Sequence, residues 1–159
     1  MEERINVCYG ISDRDGNYAK ITGTSICSLL LNTSAKVIVH LLHDNTMTEK
    51  NRCYFEHLVT GHGAEICFHD VSRKWGQMWQ GILEAAPALA ESRLSIGTFF
   101  RLIMGDIITA RRVIYLDSDI IVNMDIKELW ERETAGSGLA AAPDQVLQKC
   151  PHNMTESGI

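Results

Sequence analysis

The sequence has few of the features that mark specialised classes of protein. Its 159 residues contain only three prolines, no low-complexity tract, no internal repeat, and no C-x-x-C pair among five cysteines. These absences exclude a collagen-like, disordered or coiled-coil chain, and they argue against a zinc or disulfide framework. No block of lysine and arginine is present and the net charge is -5, which argues against nucleic acid as a partner.

Long apolar runs are scarce as well. The charged N-terminus, "MEERINVCYG", has no hydrophobic signal-peptide core. No segment approaches the roughly 20 apolar residues that a transmembrane helix needs. Unpaired cysteines fit a reducing compartment. We therefore expect a cytoplasmic protein, folded as a single domain over residues 1–159 with the ordinary globular share of 45% hydrophobic residues.

What the sequence does contain is an alternation of strand and helix patterns. Apolar, β-branched runs predict strands at 5–9, 36–42 and 112–117, an alternating pattern predicts a strand at 64–71, and a run of small residues predicts another at 138–144. Helical spacing predicts helices at 18–33, at 95–108 and over "WGQMWQGILEAAPALAE" before Pro87. Capping boxes at Thr46 and Asp125 predict that two further helices begin there.

This alternation predicts an α/β fold, a sandwich with a mostly parallel sheet flanked by helices. In such folds ligands bind at the carboxyl ends of the strands, so polar residues that follow the strands are candidates for a site. The final residues, "QVLQKCPHNMTESGI", contain no strong element, and we expect the domain to be truncated at its C-terminus.

Two aspartates interrupt the most apolar segment, "VIYLDSDIIV" at 113–122. In a continuous strand Asp117 and Asp119 would share one face, and burying two like charges there would be costly. Either water or a cation must compensate. If the strand ends at Asp117, both carboxylates lie at the edge of the sheet, where two oxygen ligands suit Mg²⁺ or Mn²⁺ that also holds phosphates. The alternative is a solvated turn without a metal.

Two other residues have alternative interpretations from the sequence alone. Arg101 follows two phenylalanines, so it is either a surface arginine whose stem covers apolar groups or a residue that recognises phosphate or carboxylate. Tyr18 is either the first core residue of its helix or an aromatic platform for a base.

Three segments together resemble a known family. "RRVIYLDSDIIVNMDIKELW" resembles the D-x-D segment of the family 8 glycosyltransferases, which are retaining sugar transferases. "INVCYGISDRDGNYAKITGTSICSLL" is similar to the family's first strand and nucleotide loop, and "LSIGTFFRLIMGDII" to the helix that precedes the D-x-D. The resemblance implies a GT-A fold, a Rossmann-like sandwich that transfers a hexose from a UDP-sugar to a hydroxyl of a saccharide or glycolipid acceptor with retained configuration.

The resemblance also implies the donor-binding residues: Asp15, Asn17, Tyr18, Arg101, Asp117, Ser118, Asp119 and Asp144. It implies that Asp117 and Asp119 bind Mn²⁺ or Mg²⁺ and, through it, the UDP diphosphate. It further implies that Tyr18 and Asn17, with Asp15 near them, meet uracil and ribose.

By the same resemblance, Arg101 would contact the donor, Asp144 would lie near the sugars, and no residue is assigned as a covalent catalyst. The loop 10–16 is longer than the common family pattern, which leaves open whether Asp13 or Asp15 takes the family's acidic position.

The family's later segments, including the histidine that completes metal binding, do not occur in these residues. We therefore expect a donor-binding portion, with any peripheral membrane contact made through the missing C-terminal part.

Two other functions stay open at this stage. One is a non-catalytic nucleotide-binding fragment of such an enzyme. The other is a phosphotransferase of the haloacid-dehalogenase kind, in which the first aspartate of a D-x-D is the nucleophile. Those enzymes usually place Thr or Val where this sequence has Ile121.

Overall fold

A computed structural model of the chain describes residues 4–85, 96–134, 136 and 138–143. Strands and helices alternate along it. The elements are β1 (Ile5–Ile11), α1 (Tyr18–Asn32), β2 (Val37–His43), α2 (Glu49–Gly61), β3 (Glu65–Asp70), α3 (Ser72–Ala85), a 3₁₀ helix (Ile96–Ile103), α4 (Met104–Ile107), β4 (Ile114–Tyr115) and α5 (Lys127–Trp130). No helix within these ranges is long and apolar enough to span a bilayer.

The four strands form one parallel sheet in the order β3-β2-β1-β4. Register pairs such as Val7 with Val39, and Val39 with Ile66, place β-branched residues side by side across the centre of the sheet. Strands β1 and β2 are buried at nearly every position, as expected for a parallel sheet covered on both faces. The prediction of a parallel α/β sandwich is therefore confirmed.

The two faces of the sheet pack against different helices. On one face Tyr9, Val39 and their neighbours contact apolar side chains that include Ile26 of α1 and Phe55 of α2. On the other face Cys8 and Leu42 belong to a second cluster. The other buried members of that cluster are Val71, Trp75, Phe100, Ile103 and Ile108. Segments on both sides of β1 thus hold it at the centre of the molecule.

The predicted start of α2 is wrong by two residues. Thr48, not Thr46, caps this helix, because the Thr48 side chain accepts a hydrogen bond from the Asn51 amide at 3.1 Å. The hydroxyl of Thr46 serves a tertiary contact instead, since it accepts from the Asp13 amide at 2.7 Å. The N-cap of α5 is Ile126, one residue after the predicted Asp125, and the Asp125 carboxylate accepts from the Lys127 amide at 2.9 Å just before the helix.

Three predicted elements differ from those observed. The helix expected at 95–108 is a 3₁₀ helix over Ile96–Ile103 followed by the short α4, and residue 95 lies outside the described residues. The strand expected at 112–117 is only Ile114–Tyr115. The last strand expected, at 138–144, does not form over residues 138–143, the part of it that the structure describes. That stretch is exposed, so its small residues have no sheet face to cover.

Candidate functional site

A cleft of about 140 Å³ opens where β1 and β4 end, next to the first residue of α1. This edge is where the topology of a parallel α/β sheet places ligands. The cleft is lined by Gly10, Tyr18, Gly97, Thr98, Arg101, Tyr115, Asp117, Ser118 and Asp119. Five of the eight residues predicted to bind the donor are in this lining: Tyr18, Arg101, Asp117, Ser118 and Asp119.

The D-x-D segment leaves the sheet before its carboxylates. The last ladder contact is the Leu116 amide, which donates to the Cys8 carbonyl at 3.0 Å, and a turn follows at 118–119. Ser118 is only 4% exposed, and its hydroxyl donates to the Gly10 carbonyl at 3.1 Å. Asp117 and Asp119 are exposed on either side of it. The buried serine therefore anchors the turn to β1 and leaves both carboxylates in solvent, where their like charges are tolerated.

Arg101 is held at the rim of the cleft by three contacts. Its Nη2 lies 2.6 Å from Oδ1 of Asp117, and its Nε donates to the Thr98 carbonyl at 2.7 Å. Its guanidinium carbon stands 4.8 Å from the centroid of the Tyr115 ring. The ion pair is solvent-accessible, with side chains 39% and 49% exposed, and it adds little to stability. The contacts instead orient a fork of N–H donors beside the carboxylates.

Tyr18 lines the same cleft as the two carboxylates. Burial raises the pKa of the Tyr18 phenol, and the charges of Asp119 and Asp117 raise it further, so the phenol is neutral at physiological pH. The side chain is half-buried at the first position of α1. A neutral aromatic ring at a helix start, beside two carboxylates, can stack on a planar ligand.

Asp13, not Asp15, fixes the start of α1. The carboxylate of Asp13 accepts from the amides of Tyr18 at 2.9 Å and Ala19 at 3.2 Å, and from the side-chain amide of Asn51 at 3.0 Å. Asp13 is only 5% exposed, whereas Asp15 is exposed. These three hydrogen bonds indicate that Asp13 has a structural role at the start of α1.

The structure does not bring every predicted residue to the cleft. Asp15 and Asn17 are exposed in the loop before α1, and neither lines the cleft as the described residues form it. The carbonyl of Asn17 accepts from the Lys20 amide at 3.1 Å, so its backbone starts the helix. Asp144 lies outside the described residues. The donor-binding roles of these residues, and of those in the cleft, stay predictions.

Four residues of the lining were not predicted from the sequence: Gly10, Gly97, Thr98 and Tyr115. A Cβ on Gly10 would lie 2.7 Å from the Gly97 carbonyl oxygen and 3.2 Å from the Tyr115 hydroxyl, so only glycine fits there. A glycine inside a strand indicates such a close approach, and that signal was available at Gly10. Tyr115 has the pattern of a core strand residue and gave no comparable signal.

Asp117 and Asp119 are the side chains in the cleft that can ligate a metal. Among the residues described, no group of three or more His, Cys, Asp or Glu side chains could hold one. A pair of exposed carboxylates fits a hard cation such as Mg²⁺, which keeps several waters and takes further oxygens from substrate phosphates. The donor set thus fits Mn²⁺ or Mg²⁺ and is unlike a closed structural zinc site.

The fold and the cleft define a Rossmann-like α/β protein with a ligand site at the carboxyl edge of its sheet. The chain belongs to glycosyl transferase family 8, whose model matches residues 10–157. The resemblance found in three short segments is thereby confirmed over most of the chain.

Individual relatives agree with this assignment. General stress protein A of Bacillus subtilis is 28% identical over 154 residues, which cover 93% of this chain and 51% of that protein. Lipopolysaccharide 1,3-galactosyltransferase of Salmonella typhimurium is 27% identical over 143 residues, covering 87% of this chain and 38% of that protein. The chain thus spans about half, or less, of the length of these curated relatives.

Solved structures support the fold. An active-site mutant of LgtC matches with a TM-score of 0.75 at 23% identity, covering 99% of this chain and 52% of that one. The bifunctional glycosyltransferase WbbM matches over 84% of this chain with a TM-score of 0.60. The predicted GT-A fold is confirmed by the likeness to LgtC.

Proposed function

We propose that this chain binds a UDP-hexose in the cleft at the ends of β1 and β4, and that it serves retaining transfer of the hexose to a hydroxyl group. The observation that carries the proposal is the pair Asp117 and Asp119, exposed just after β4 in a cleft that Tyr18 and Arg101 also line. Membership of family 8 supports glycosyl transfer as the chemistry. The Salmonella relative, named for galactosyl transfer to lipopolysaccharide, supports a saccharide or glycolipid acceptor.

Electrostatics favour a cation in this arrangement. Among the described residues that line the cleft, a diphosphate would meet two carboxylates and one guanidinium, which already pairs with Asp117. A divalent cation, Mn²⁺ or Mg²⁺, held by Asp117 and Asp119 would supply the positive charge that a diphosphate leaving group needs. Arg101 would direct its remaining N–H groups at a phosphate oxygen, and Tyr18 would stack on the uracil.

The reaction exchanges one bond at the sugar for another. The bond from sugar C1 to the phosphate oxygen breaks, and its electron pair leaves with UDP. The acceptor oxygen bonds to C1, and its proton passes to the leaving phosphate or to water. The chain's residues bind and orient the donor and stabilise the charge that develops on UDP. No side chain of the cleft is assigned as a covalent nucleophile.

The two alternative functions, a phosphotransferase and a non-catalytic nucleotide-binding fragment, differ in their support. The D-x-D segment falls inside the family 8 match, so a haloacid-dehalogenase-type phosphotransferase has no support. Nucleotide binding without turnover stays an alternative, because the chain spans about half the length of its relatives. Peripheral membrane contact would belong to a part of the enzyme beyond these residues.

Calorimetric titration with UDP tests the proposal. We expect Mn²⁺ to tighten UDP binding at least tenfold, about 1.4 kcal/mol, and Asp119→Asn to abolish that gain. Asp106→Asn is a matched control, because Asp106 is an exposed carboxylate that pairs with Lys74 away from the cleft. Release of UDP from UDP-galactose separates an active enzyme from a binding module. Binding that ignores Mn²⁺, or no binding by the wild type, would count against the proposal.

A further inference from the structure

Tyr115 presents a phenol group that neither the sheet nor the core uses. It is the last residue of β4, pairs in register with Cys8, and packs its ring against the apolar cluster on that face. The same side chain lines the cleft. Within the described part of the chain its hydroxyl forms no hydrogen bond, and it is not among the polar atoms sealed from solvent. The O–H group therefore faces the cleft without a protein partner.

The backbone nearby is shaped around this side chain. The hydroxyl oxygen lies 3.2 Å from the point where a Cβ of residue 10 would stand, so Gly10 leaves the room that the phenol occupies. The Arg101 guanidinium also packs over the ring, with its carbon 4.8 Å from the ring centroid. A side chain packed on both faces of its ring has little freedom, so ordering its hydroxyl on binding costs less conformational entropy.

The hydroxyl is a permanent hydrogen-bond donor. An unperturbed tyrosine phenol titrates at about pH 10, well above the physiological range. The phenol therefore keeps its proton at neutral pH. A neutral O–H donor next to the donor fork of Arg101 complements a group with several acceptor oxygens, such as a diphosphate.

We propose that Tyr115 is a ligand-binding residue of this cleft: its hydroxyl donates a hydrogen bond to the diphosphate of the nucleotide, and its ring holds Arg101 beside the same group. The inference rests on the proposed function and deepens it, because it adds a residue to the donor site. It also gives Gly10 a role in the site, as the residue whose missing side chain admits the phenol.

Tyr115→Phe tests the hydroxyl, because it removes one oxygen and keeps the ring. With Mn²⁺ present, we expect calorimetry to show UDP binding weakened roughly tenfold, the loss of one hydrogen bond to a charged group, and uridine binding unchanged. Tyr9→Phe is the matched control: Tyr9 is a buried tyrosine on the opposite face, with its hydroxyl 3.5 Å from the Ser25 hydroxyl. It should leave UDP affinity as in the wild type.

Tyr115→Leu tests the ring. It should weaken UDP binding more than Tyr115→Phe does, and this additional loss should vanish when Arg101→Gln is already present, because the ring then has no guanidinium to hold. Urea unfolding checks that each variant is folded, and Tyr115→Phe alone decides the question of the hydroxyl if Tyr115→Leu fails to fold.

The outcomes separate the two proposals. UDP binding by the wild type with equal affinity in Tyr115→Phe would overturn this inference and leave the proposed function standing. An equal loss for UDP and uridine would also overturn it, because the diphosphate would then not be the partner. No UDP binding by the wild type would refute the proposed function, and the inference would fall with it.

Discussion

Replacing Asp13 by alanine should destabilise the protein much more than the same change at Asp15, two residues away. Asp13 is buried, and its carboxylate accepts hydrogen bonds from the amides of Tyr18 and Ala19 and from the side chain of Asn51. Asp15 is exposed. The comparison tests whether the acidic residue of the loop before α1 stabilises the fold or remains available to bind a ligand.

The magnitude follows from the groups that lose a partner. Loss of an acceptor at a helix N-terminus costs about 1–2 kcal/mol. Leaving the Asn51 amide without its acceptor costs roughly 1 kcal/mol more, and the lost attraction between a carboxylate and the helix dipole adds about 0.3–1 kcal/mol. The buried neighbour Asp44 keeps its own donors, Ser12 and Thr46, so the change leaves no second orphan. We expect a loss of about 3 kcal/mol in the free energy of unfolding, or about 6–12 °C in Tm for a chain of this size.

Urea denaturation followed by tryptophan fluorescence measures the effect. Asp15→Ala should stay within about 0.5 kcal/mol of the wild type, as exposed substitutions do. Asp13→Asn should fall between wild type and Asp13→Ala, because one amide oxygen can still accept while the NH₂ group opposes a backbone donor. Equal stability of Asp13→Ala and Asp15→Ala would refute the assignment of Asp13 to the start of α1.

Two further predictions concern packing and pH. Gly10→Ala should cost about 1–3 kcal/mol, because the new Cβ would lie 2.7 Å from the Gly97 carbonyl oxygen, whereas Gly76→Ala, with open space around it, should not destabilise; urea midpoints compare the two. Burial, and then His69, lower the pKa of His40 to about 4, so the unfolded chain binds more protons between about pH 6.5 and 4. Stability should therefore decrease as the pH falls through that window, and His40→Gln should flatten the profile; an unchanged profile would contradict the assignment.

Much of the fold could be predicted because its strands and helices have clear local sequence patterns. The strands that became β1 and β2 are apolar and rich in β-branched residues, β3 alternates like a strand, and a helical pattern follows β1 and β2. Such an alternation has few arrangements other than a parallel sheet between helices. Parallel strands end at a common edge, so the convergence of Asp117 with the start of α1 follows from the topology.

Elements that depend on distant partners were predicted less well. Thr46 and Thr48 are equally good helix caps by their chemistry. Thr46 does not cap α2 because its hydroxyl accepts a hydrogen bond from the amide of Asp13, 33 residues away. The segment 95–108 has helical spacing, but Gly97 lies against β1, where a Cβ would come 3.0 Å from the Ser12 amide nitrogen. Its observed form is a 3₁₀ helix that leads into α4.

The sequence by itself determined the class of fold and the presence of two carboxylates where a buried strand ends, because hydrophobic period and charge placement are properties of neighbouring residues. Only the tertiary structure decided which polar groups serve the fold and which face the cleft. The Asp13 carboxylate accepts hydrogen bonds from the start of α1 and from Asn51, and the Ser118 hydroxyl donates to the Gly10 carbonyl. The Tyr115 hydroxyl has no protein partner in the described structure. The physical reason is that a polar side chain's role depends on the donors and acceptors that reach it, and here these come from up to 108 residues away.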